Sequence, residues 1–214
     1  MSFRLIKDIV ANKLGFSQKP AARGPYGLSL GRLAEIEITP FILAEGLVDV
    51  ASPGPQNLVV AHGVFVVGGV ICHRYYLAER KGMLQVAENQ ECRFFRPLDE
   101  VYPASSQEWA FWLDDADGYI GYPVFEAKGK SYQRVWSPGQ TRTAPLVFEE
   151  ALEQADGSRS SEKHSAMLYA RATGGQDEAG WEYLLVSAIE GNDGSAWVDL
   201  SLGMDVSPEM VKGI

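Results

Sequence analysis

Cysteine and histidine are scarce in this sequence. Its 214 residues include two cysteines, Cys72 and Cys92, and three histidines. Two cysteines are too few for the disulfide framework of a small secreted domain, and the N-terminal residues lack the continuous apolar stretch of a signal peptide. We therefore expect a protein with reduced thiols that works in the cytoplasm.

Long apolar segments and an excess of positive charge are also missing. The longest apolar run, residues 58–71, is shorter than the roughly 20 residues that a helix needs to cross a bilayer. The formal net charge is −9 at pH 7, although residues 1–24 contain five basic residues and one acidic residue. The rest of the chain is therefore strongly acidic. This argues against nucleic-acid binding, because phosphate recognition requires clustered Lys and Arg.

The short motifs of common enzyme chemistries are absent as well. There is no nucleophile elbow, no phosphate-binding loop and no dinucleotide-binding glycine pattern. An acidic run from Asp115 resembles the start of a calcium loop, but Tyr119 and Ile120 stand where an EF-hand needs an oxygen ligand and a glycine. We therefore predict no catalytic residues, no metal site and no cofactor, and lean towards a protein that is not an enzyme.

What is present begins with a candidate amphipathic helix at residues 1–16. Phe3, Ile6, Val10 and Leu14 recur at helical spacing and fall on one face. With basic residues nearby, this face is a candidate for contact with an anionic membrane or with a partner protein. Docking on the protein's own body is the alternative.

Proline and glycine then mark the domain boundaries. Residues 17–25 contain two prolines and a glycine, which is the composition of an extended linker. The sequence from 26 to 214 reads as a single β-rich globular domain, with an optional division into two subdomains near 100–115.

A β-hairpin over residues 58–77 is the clearest local prediction. Gly68 and Gly69 suit a type I′ turn, which opposes Val67 to Val70 and Val64 to His73. One face then carries His62, Val64, Val66, Ile71, His73, Tyr75 and Leu77, and the other carries Phe65, Cys72, Arg74 and Tyr76. The two histidines share a face, but local sequence offers no third metal ligand, so we interpret them as core or rim residues.

The remaining pattern predicts short strands and few helices. Ser105 and Glu108 form a capping box that predicts a helix from about 106 to 113. Strands are expected at 165–173, 181–189 and 196–204, whereas the second half of the acidic segment 149–162 reads as an exposed loop. The fold class is therefore mainly β, an antiparallel β-sandwich or barrel-like arrangement with one or two short helices besides the N-terminal one.

Residues 117–136, D-G-Y-I-G-Y-P-V-F-E-A-K-G-K-S-Y-Q-R-V-W, predict a second hairpin. A three-residue loop at 127–129 would place Tyr122 opposite Arg134 and Ile120 opposite Trp136. Arg134 would lie against Tyr122 or Trp136 as a cation–π contact. This face is either part of the core or an exposed partner-binding surface formed by Tyr122, Arg134 and Trp136.

The same hairpin resembles the YjfK-like family of uncharacterised bacterial proteins. The resemblance rests on G-Y-I-G-Y-P-V-F, Y-Q-R-V-W, H-R-Y-Y-L, D-E-V-Y-P-A-S-S-Q-E-W, A-M-L-Y-A-R and Y-L-L-V-S-A, and it spans roughly residues 28–201. Members of that family resemble accessory components encoded beside a phage-shock-protein-A-like membrane-remodelling protein and a glutathionylspermidine-synthase-like ligase. The resemblance implies a setting in envelope stress and assigns no activity to any residue.

Two functions follow from these observations. The first is a non-catalytic accessory or scaffold protein that works with a membrane-associated, phage-shock-protein-A-like partner, in the cytoplasm or at the periphery of the inner membrane. The second is a small-molecule-binding protein or hydrolytic enzyme with its site in the mouth of a β-barrel or sandwich. A deep pocket with convergent polar groups would favour the second, and a side-chain-filled interior would exclude it.

Overall fold

The computed structural model describes residues 24–89, 91–114, 117–137, 139–174 and 180–214. The predicted helix at 1–16, with Phe3, Ile6, Val10 and Leu14, and most of the predicted linker at 17–25 lie outside the described residues. None of the helices in the described ranges is both long enough and apolar enough to cross a membrane.

Strands dominate the described chain. They are β1 (Leu33–Ile36), β2 (Gln56–Val67), β3 (Val70–Leu77), β4 (Gly82–Ala87), β5 (Cys92–Val101), β6 (Val124–Ala127), β7 (Lys130–Arg134), β8 (Leu146–Gln154), β9 (Arg159–Ala172), β10 (Trp181–Gly191), β11 (Ala196–Asp205) and β12 (Val211–Gly213). There are two α-helices, α1 (Thr39–Leu43) and α2 (Ser106–Leu113). Short 3-10 turns occur at Pro25–Gly27, Ala78–Arg80 and Pro208–Met210.

Eight of the strands close into an antiparallel barrel. The order is β2-β3-β4-β5-β11-β10-β9-β8, and β8 pairs with β2 to complete the ring. β1 extends one edge of β2 and pairs with β12, while the β6–β7 hairpin pairs with the end of β9. The mainly β, antiparallel and barrel-like prediction is therefore confirmed.

The two faces of the barrel strands carry two separate apolar clusters. The inner cluster contains Phe65, Cys72, Met83, Phe95, Phe148, Ala166, Leu168, Ala170, Tyr183 and Leu185. The larger outer cluster lies on the opposite face of the same strands and is covered by β1, the two helices and the β6–β7 hairpin. Phe41 of α1, for example, meets Phe94 of β5 edge to face, with ring centroids 5.4 Å apart. The inner cluster lies inside the ring of strands, so polar residues on the same face of these strands also point into the barrel.

The predicted hairpin at 58–77 and the helix near 106–113 are confirmed. Val67 pairs with Val70 and Val64 with His73, and both turn glycines have positive φ. At the start of α2, the Ser105 hydroxyl accepts a hydrogen bond from the Glu108 amide at 3.2 Å, which is the predicted cap.

The predicted register of the second hairpin is wrong by one residue. Lys128 and Gly129 both have positive φ, so the connection is a two-residue turn and Glu126 pairs with Ser131. The observed register turns Phe125 and Tyr132 towards the core, and the Tyr132 hydroxyl donates a 2.9 Å hydrogen bond to Glu182. Burial of these two rings outweighs the poor fit of lysine to a left-handed conformation.

The acidic segment 149–162 is also different from its predicted form. It contains the end of β8 and the start of β9, joined by a short turn, instead of an exposed loop in its second half. Glu150 alternates with Phe148 and Leu152 on the inner face of β8 and is completely buried. The start of β9 is partly exposed and rich in serine and charged residues, so its composition resembles that of a loop although it pairs with β8.

Candidate ligand-binding cavity

A cavity of about 600 Å³ occupies one end of the barrel interior. Every one of the eight barrel strands contributes a lining residue, and the β3–β4 connection at residues 78–80 lies at its mouth. The apolar part of the wall is formed by Ala61, Met83, Phe95, Pro97, Leu152, Leu185, Ile189 and Trp197. The barrel interior is therefore filled by side chains at one end and hollow at the other.

A buried ion pair forms the floor of the cavity. Arg74 Nη1 lies 2.6 Å from Glu150 Oε2, and both side chains are almost fully buried. The Tyr76 hydroxyl donates to Glu150 Oε1 at 2.8 Å, and Arg74 Nε donates to Gln85 Oε1 at 3.0 Å. Although burial raises the pKa of Glu150, the Arg74 charge, the neighbouring His164 and the hydrogen bond from Tyr76 outweigh it and hold the pKa at about 2.

Two aromatic rings close the barrel beneath this ion pair. Phe65 and Phe148 stack with their centroids 4.3 Å apart, and the Arg74 guanidinium lies 4.6 Å from the first ring and 5.3 Å from the second. The carboxylate fits against β2 because residue 63 is glycine: a Cβ there would collide with Glu150. The charge of Arg74 is thus shared between a carboxylate and two ring faces, leaving the floor electrically balanced.

His164 lies on the wall beside the floor and is 2% exposed. Its Nδ1 is 3.0 Å from Ser187 Oγ, and its Nε2 is 3.2 Å from Glu150 Oε2 and 3.7 Å from Glu162 Oε2. Neither carboxylate contact has hydrogen-bond geometry, so within the described part of the chain Nε2 has no hydrogen-bond partner. Burial lowers the pKa of His164, which keeps the imidazole neutral at pH 7.

Two further carboxylates line the cavity above the floor. Burial, followed by the charges of Glu150 and Asp199, raises the pKa of Glu162 to about 7. Burial and the charge of Glu100 raise the pKa of Asp199 to about 6. Within the described residues, neither carboxylate lies within ion-pair distance of an Arg or Lys. Such groups attract a positive charge and exchange protons near neutral pH.

The charges at the rim are paired. Arg80 forms an ion pair with Glu100, whose other carboxylate oxygen accepts a 3.0 Å hydrogen bond from the Tyr102 hydroxyl. Arg80 and Tyr102 are largely exposed, so the mouth reaches solvent. The unpaired charge of the site is therefore confined to Glu162 and Asp199, deeper in the cavity.

The histidines and cysteines considered from sequence lie away from this geometry. His62 and His73 stack on the outer face of the barrel, with His62 Nε2 3.1 Å from His73 Nδ1. Cys72 and Cys92 are buried as free thiols. Across the residues described, no group of three or more His, Cys, Asp or Glu side chains is placed to hold a metal ion.

The residues predicted as a partner surface are placed near one another but serve different roles. The Arg134 guanidinium donates to the backbone carbonyls of Gly121, Trp136, Ser137 and Thr141. Trp136 is half-buried against both apolar clusters, and Tyr122 is half-buried beside Tyr119, with ring centroids 6.3 Å apart. Arg134 thus ties the loop that follows β7 to the turn before β6.

Sequence reasoning missed four polar residues of the site: three line the cavity, and Glu150 lies beneath it as the partner of Arg74. Glu150, Glu162, His164 and Asp199 lie on three strands and share only their inward orientation. The only local signal is weak: Phe148 and Leu152 lie on one face of β8 with Glu150 between them on that face, but Val147 and Ala151 on the other face are also apolar, so polarity does not alternate.

Comparison with known proteins adds a family and nothing finer. No curated protein and no solved structure gives a significant match to this chain. Residues 9–212 match the family described as "Protein of unknown function (DUF2491)". Because the match covers nearly the whole sequence, the chain belongs to this family.

Proposed function

We propose that this protein binds a small amphiphilic molecule inside the open end of its barrel. The observation that carries the proposal is the cavity of about 600 Å³, enclosed by all eight barrel strands. Ligand pockets typically measure roughly 300–1,000 Å³ and combine apolar walls with a few convergent polar groups. Side chains normally fill the interior of a small barrel, so an unfilled end favours a role in holding a ligand.

The polar groups favour a bound molecule over bulk water alone. Arg74, Glu150 and Tyr76 satisfy one another at the floor, whereas His164 Nε2 has no hydrogen-bond partner and Glu162 and Asp199 form no ion pair with Arg or Lys among the described residues. All three residues line the cavity. Apolar walls around such groups raise the cost of leaving them unpaired. A ligand with an apolar body and a polar head would cover the walls and pair with these groups.

N-phenyl-1-naphthylamine, a neutral fluorophore that brightens in apolar surroundings, provides a direct test. We expect saturable binding of one molecule per chain, with energy transfer from Trp197 in the cavity wall. Ser201→Phe should abolish it, because Ser201 lines the cavity and a ring there would fill the space. Gln133→Phe, an exposed position on β7, is the matched control and should bind as the wild type does.

Equal binding by the Ser201→Phe and Gln133→Phe variants would contradict the cavity as the site. Absence of binding by a folded wild-type protein would contradict the proposal itself. Native mass spectrometry of protein purified from its source cells gives an independent measurement, since a bound molecule of a few hundred daltons should be retained by the wild type and lost by Ser201→Phe.

An accessory role beside a membrane-associated, phage-shock-protein-A-like partner is our second proposal, compatible with the first. It follows from the resemblance to the YjfK-like family and would place the protein in the cytoplasm, at the periphery of the inner membrane. One surface favours it: Phe111 on α2 is 58% exposed and stacks on Tyr119, which lies beside Tyr122. Exposed aromatic groups of this kind are typical of protein interfaces.

Two variants of the full chain test this role. Replacing Phe3, Ile6, Val10 and Leu14 by serine should abolish co-sedimentation with anionic vesicles if the N-terminal segment contacts a membrane. Phe111→Ala with Tyr122→Ala should abolish co-purification with the phage-shock-protein-A-like protein. A monodisperse wild type that binds neither vesicles nor that protein would exclude the accessory role and leave ligand binding untouched.

A further inference from the structure

We propose that the ligand is an organic cation, a protonated amine on an apolar body, with its ammonium group held between Glu162, Asp199 and His164. This inference rests on the proposed ligand-binding function and names the class of molecule that the cavity takes. The geometry that points to it is a set of acceptors lining one cavity whose two arginines, Arg74 and Arg80, are each paired with another carboxylate.

Charge is strongly one-sided around the cavity. The lining residues and the floor include five carboxylates, those of Glu79, Glu100, Glu150, Glu162 and Asp199, against the two guanidiniums of Arg74 and Arg80. Arg74 is paired with Glu150 and Arg80 with Glu100. Neither arginine is free for an anionic ligand, so the remaining field inside the barrel is negative.

The strand register places the acids of the cavity beside polar residues of neighbouring strands. Glu150 on β8 is directly opposite Glu162 on β9, and Ser187 on β10 is directly opposite Asp199 on β11. All lie on the inner face, and the like charges of Glu150 and Glu162, directly opposed, destabilise a sheet unless a counter-charge is present. Arg74 makes its ion-pair contact with Glu150; its charge also lowers the pKa of Glu162 and Asp199, but burial and the neighbouring acids outweigh it there.

His164 provides the independent observation. It is 2% exposed, lines the cavity, and has an Nε2 atom without a hydrogen-bond partner in the described chain. If Nδ1 donates its proton to Ser187 Oγ, 3.0 Å away, then Nε2 is an acceptor 3.2 Å from Glu150 and 3.7 Å from Glu162. In that tautomer the three neighbouring acceptors repel one another, and an ammonium group with three N–H donors would remove the repulsion.

The raised pKa values of the two acids are consistent with this assignment. Burial is the first cause at both Glu162 and Asp199; the charges of Glu150 and Asp199 add to it at Glu162, and the charge of Glu100 adds to it at Asp199. A bound cation would favour the ionised form of each carboxyl. The rest of the molecule would lie against Phe95, Leu185 and Trp197 on the apolar wall.

A charge series on one aromatic body tests the inference. The probes are 1-naphthylmethylamine, its neutral isostere 1-naphthylmethanol and the anion 1-naphthoate, each competed against N-phenyl-1-naphthylamine at pH 7.5 and titrated directly by calorimetry. We expect the amine to bind at least about tenfold more tightly than the alcohol, because a hydrogen bond to a charged group contributes roughly 1.5–3 kcal/mol. We expect the naphthoate not to bind.

Removal of either carboxylate charge should weaken binding of the amine without weakening binding of the neutral probes. Glu162→Gln and Asp199→Asn should each reduce amine affinity at least about tenfold, while binding of the alcohol and the neutral fluorophore stays within about twofold. Glu149→Gln is the matched control, since Glu149 is exposed on the outer face of the same strand as Glu150.

The outcomes separate the two levels of the proposal. Equal affinity of the amine and the alcohol, or an amine preference that survives both carboxylate variants, would overturn the cationic assignment and leave ligand binding intact. Failure of the fluorophore and all three naphthyl compounds to bind the wild type would overturn ligand binding as well.

Discussion

Arg74 and Glu150 form an ion pair that is almost completely withdrawn from water. Removing one partner of such a pair leaves an uncompensated buried charge, which costs roughly 3–5 kcal/mol. We expect Arg74→Met to lower the free energy of unfolding by about that amount, measured by urea denaturation at pH 7. The pKa of Glu150, held at about 2 mainly by Arg74 against the effect of burial, should rise in this variant.

The double variant Arg74→Met/Glu150→Leu tests whether the loss of stability in Arg74→Met arises from the unpaired charge of Glu150. Since replacement of a whole buried pair by apolar residues is often nearly neutral, we expect the double variant to be more stable than Arg74→Met alone. A double variant whose loss equals the sum of the two single losses would contradict this account and would assign the cost to packing on Phe65 and Phe148.

Glu162 predicts a stability change that depends on pH. Its pKa is about 7 in the folded protein against 4.5 as the ordinary value, so the folded state binds the extra proton. The contribution of Glu162 to folding stability is fully present below about pH 4.5, its ordinary pKa, and is lost as the pH rises through 7. Arg74, His164 and the carboxylates of Glu150, Asp199 and Asp193 face it and set the size of the effect.

Glu162→Gln removes that titration and should therefore stabilise the ligand-free protein at pH 8. We expect a gain of about 1–3 kcal/mol at pH 8 and almost none at pH 4.5, measured by thermal unfolding of each variant across the pH range. An equal gain in the free energy of unfolding at pH 8 and pH 4.5 would show that the effect does not come from ionisation of Glu162. A stability cost retained at a cavity wall is the usual mark of a functional residue.

At the level of elements, β2 makes room for the floor of the cavity through one glycine. A Cβ at position 63 would collide with the carboxylate of Glu150, which lies across β2 from Arg74. Gly63→Ala should therefore separate the ion pair and lower the free energy of unfolding by about 2–4 kcal/mol, measured by urea denaturation. Gly157→Ala is an informative comparison: its space is open and its cost should come only from its positive φ.

The turn between β6 and β7 offers a test of register. Lys128 has φ 50°, in the left-handed region that asparagine tolerates better than lysine. Lys128→Asn should raise the free energy of unfolding by about 0.5–1 kcal/mol in the two-residue turn, whereas the three-residue loop expected from sequence would gain nothing. Thermal unfolding of Lys128→Asn beside Lys130→Asn, a strand position, distinguishes the two.

These elements also show what the sequence can and cannot predict. The 58–77 hairpin was predictable because two glycines specify a type I′ turn and the flanking residues alternate. The second hairpin was not, since its register depends on burying Phe125 and Tyr132 against distant strands. The cavity residues were harder still: Glu150 meets Arg74 only because the barrel closes between β2 and β8, a pairing with no local signal.

At the level of the whole molecule, the β2–β8 pairing that closes the barrel (the seam) also carries the floor of the candidate site. β2 and β8 pair only over Ala61–Val64, whereas β9 and β10 pair from Glu162 to Ala172. The Arg74–Glu150 bond reaches from β3 to β8 across β2, so it bridges one of the two shortest pairings in the ring and forms the cavity floor as well. Closure of the barrel and formation of the floor should therefore be one cooperative event.

Hydrogen exchange tests that coupling between closure and site. In the wild type we expect peptides from β2 and β8 to open with a smaller free energy than peptides from β9 and β10, because fewer backbone hydrogen bonds hold them. Arg74→Met should accelerate exchange at the β2–β8 seam at least about tenfold beyond any change in β9 and β10. Uniform acceleration would contradict the coupling and assign the ion pair to global stability alone. Saturation with N-phenyl-1-naphthylamine should slow exchange at the seam, since a ligand resting on the floor stabilises the closed barrel by mass action.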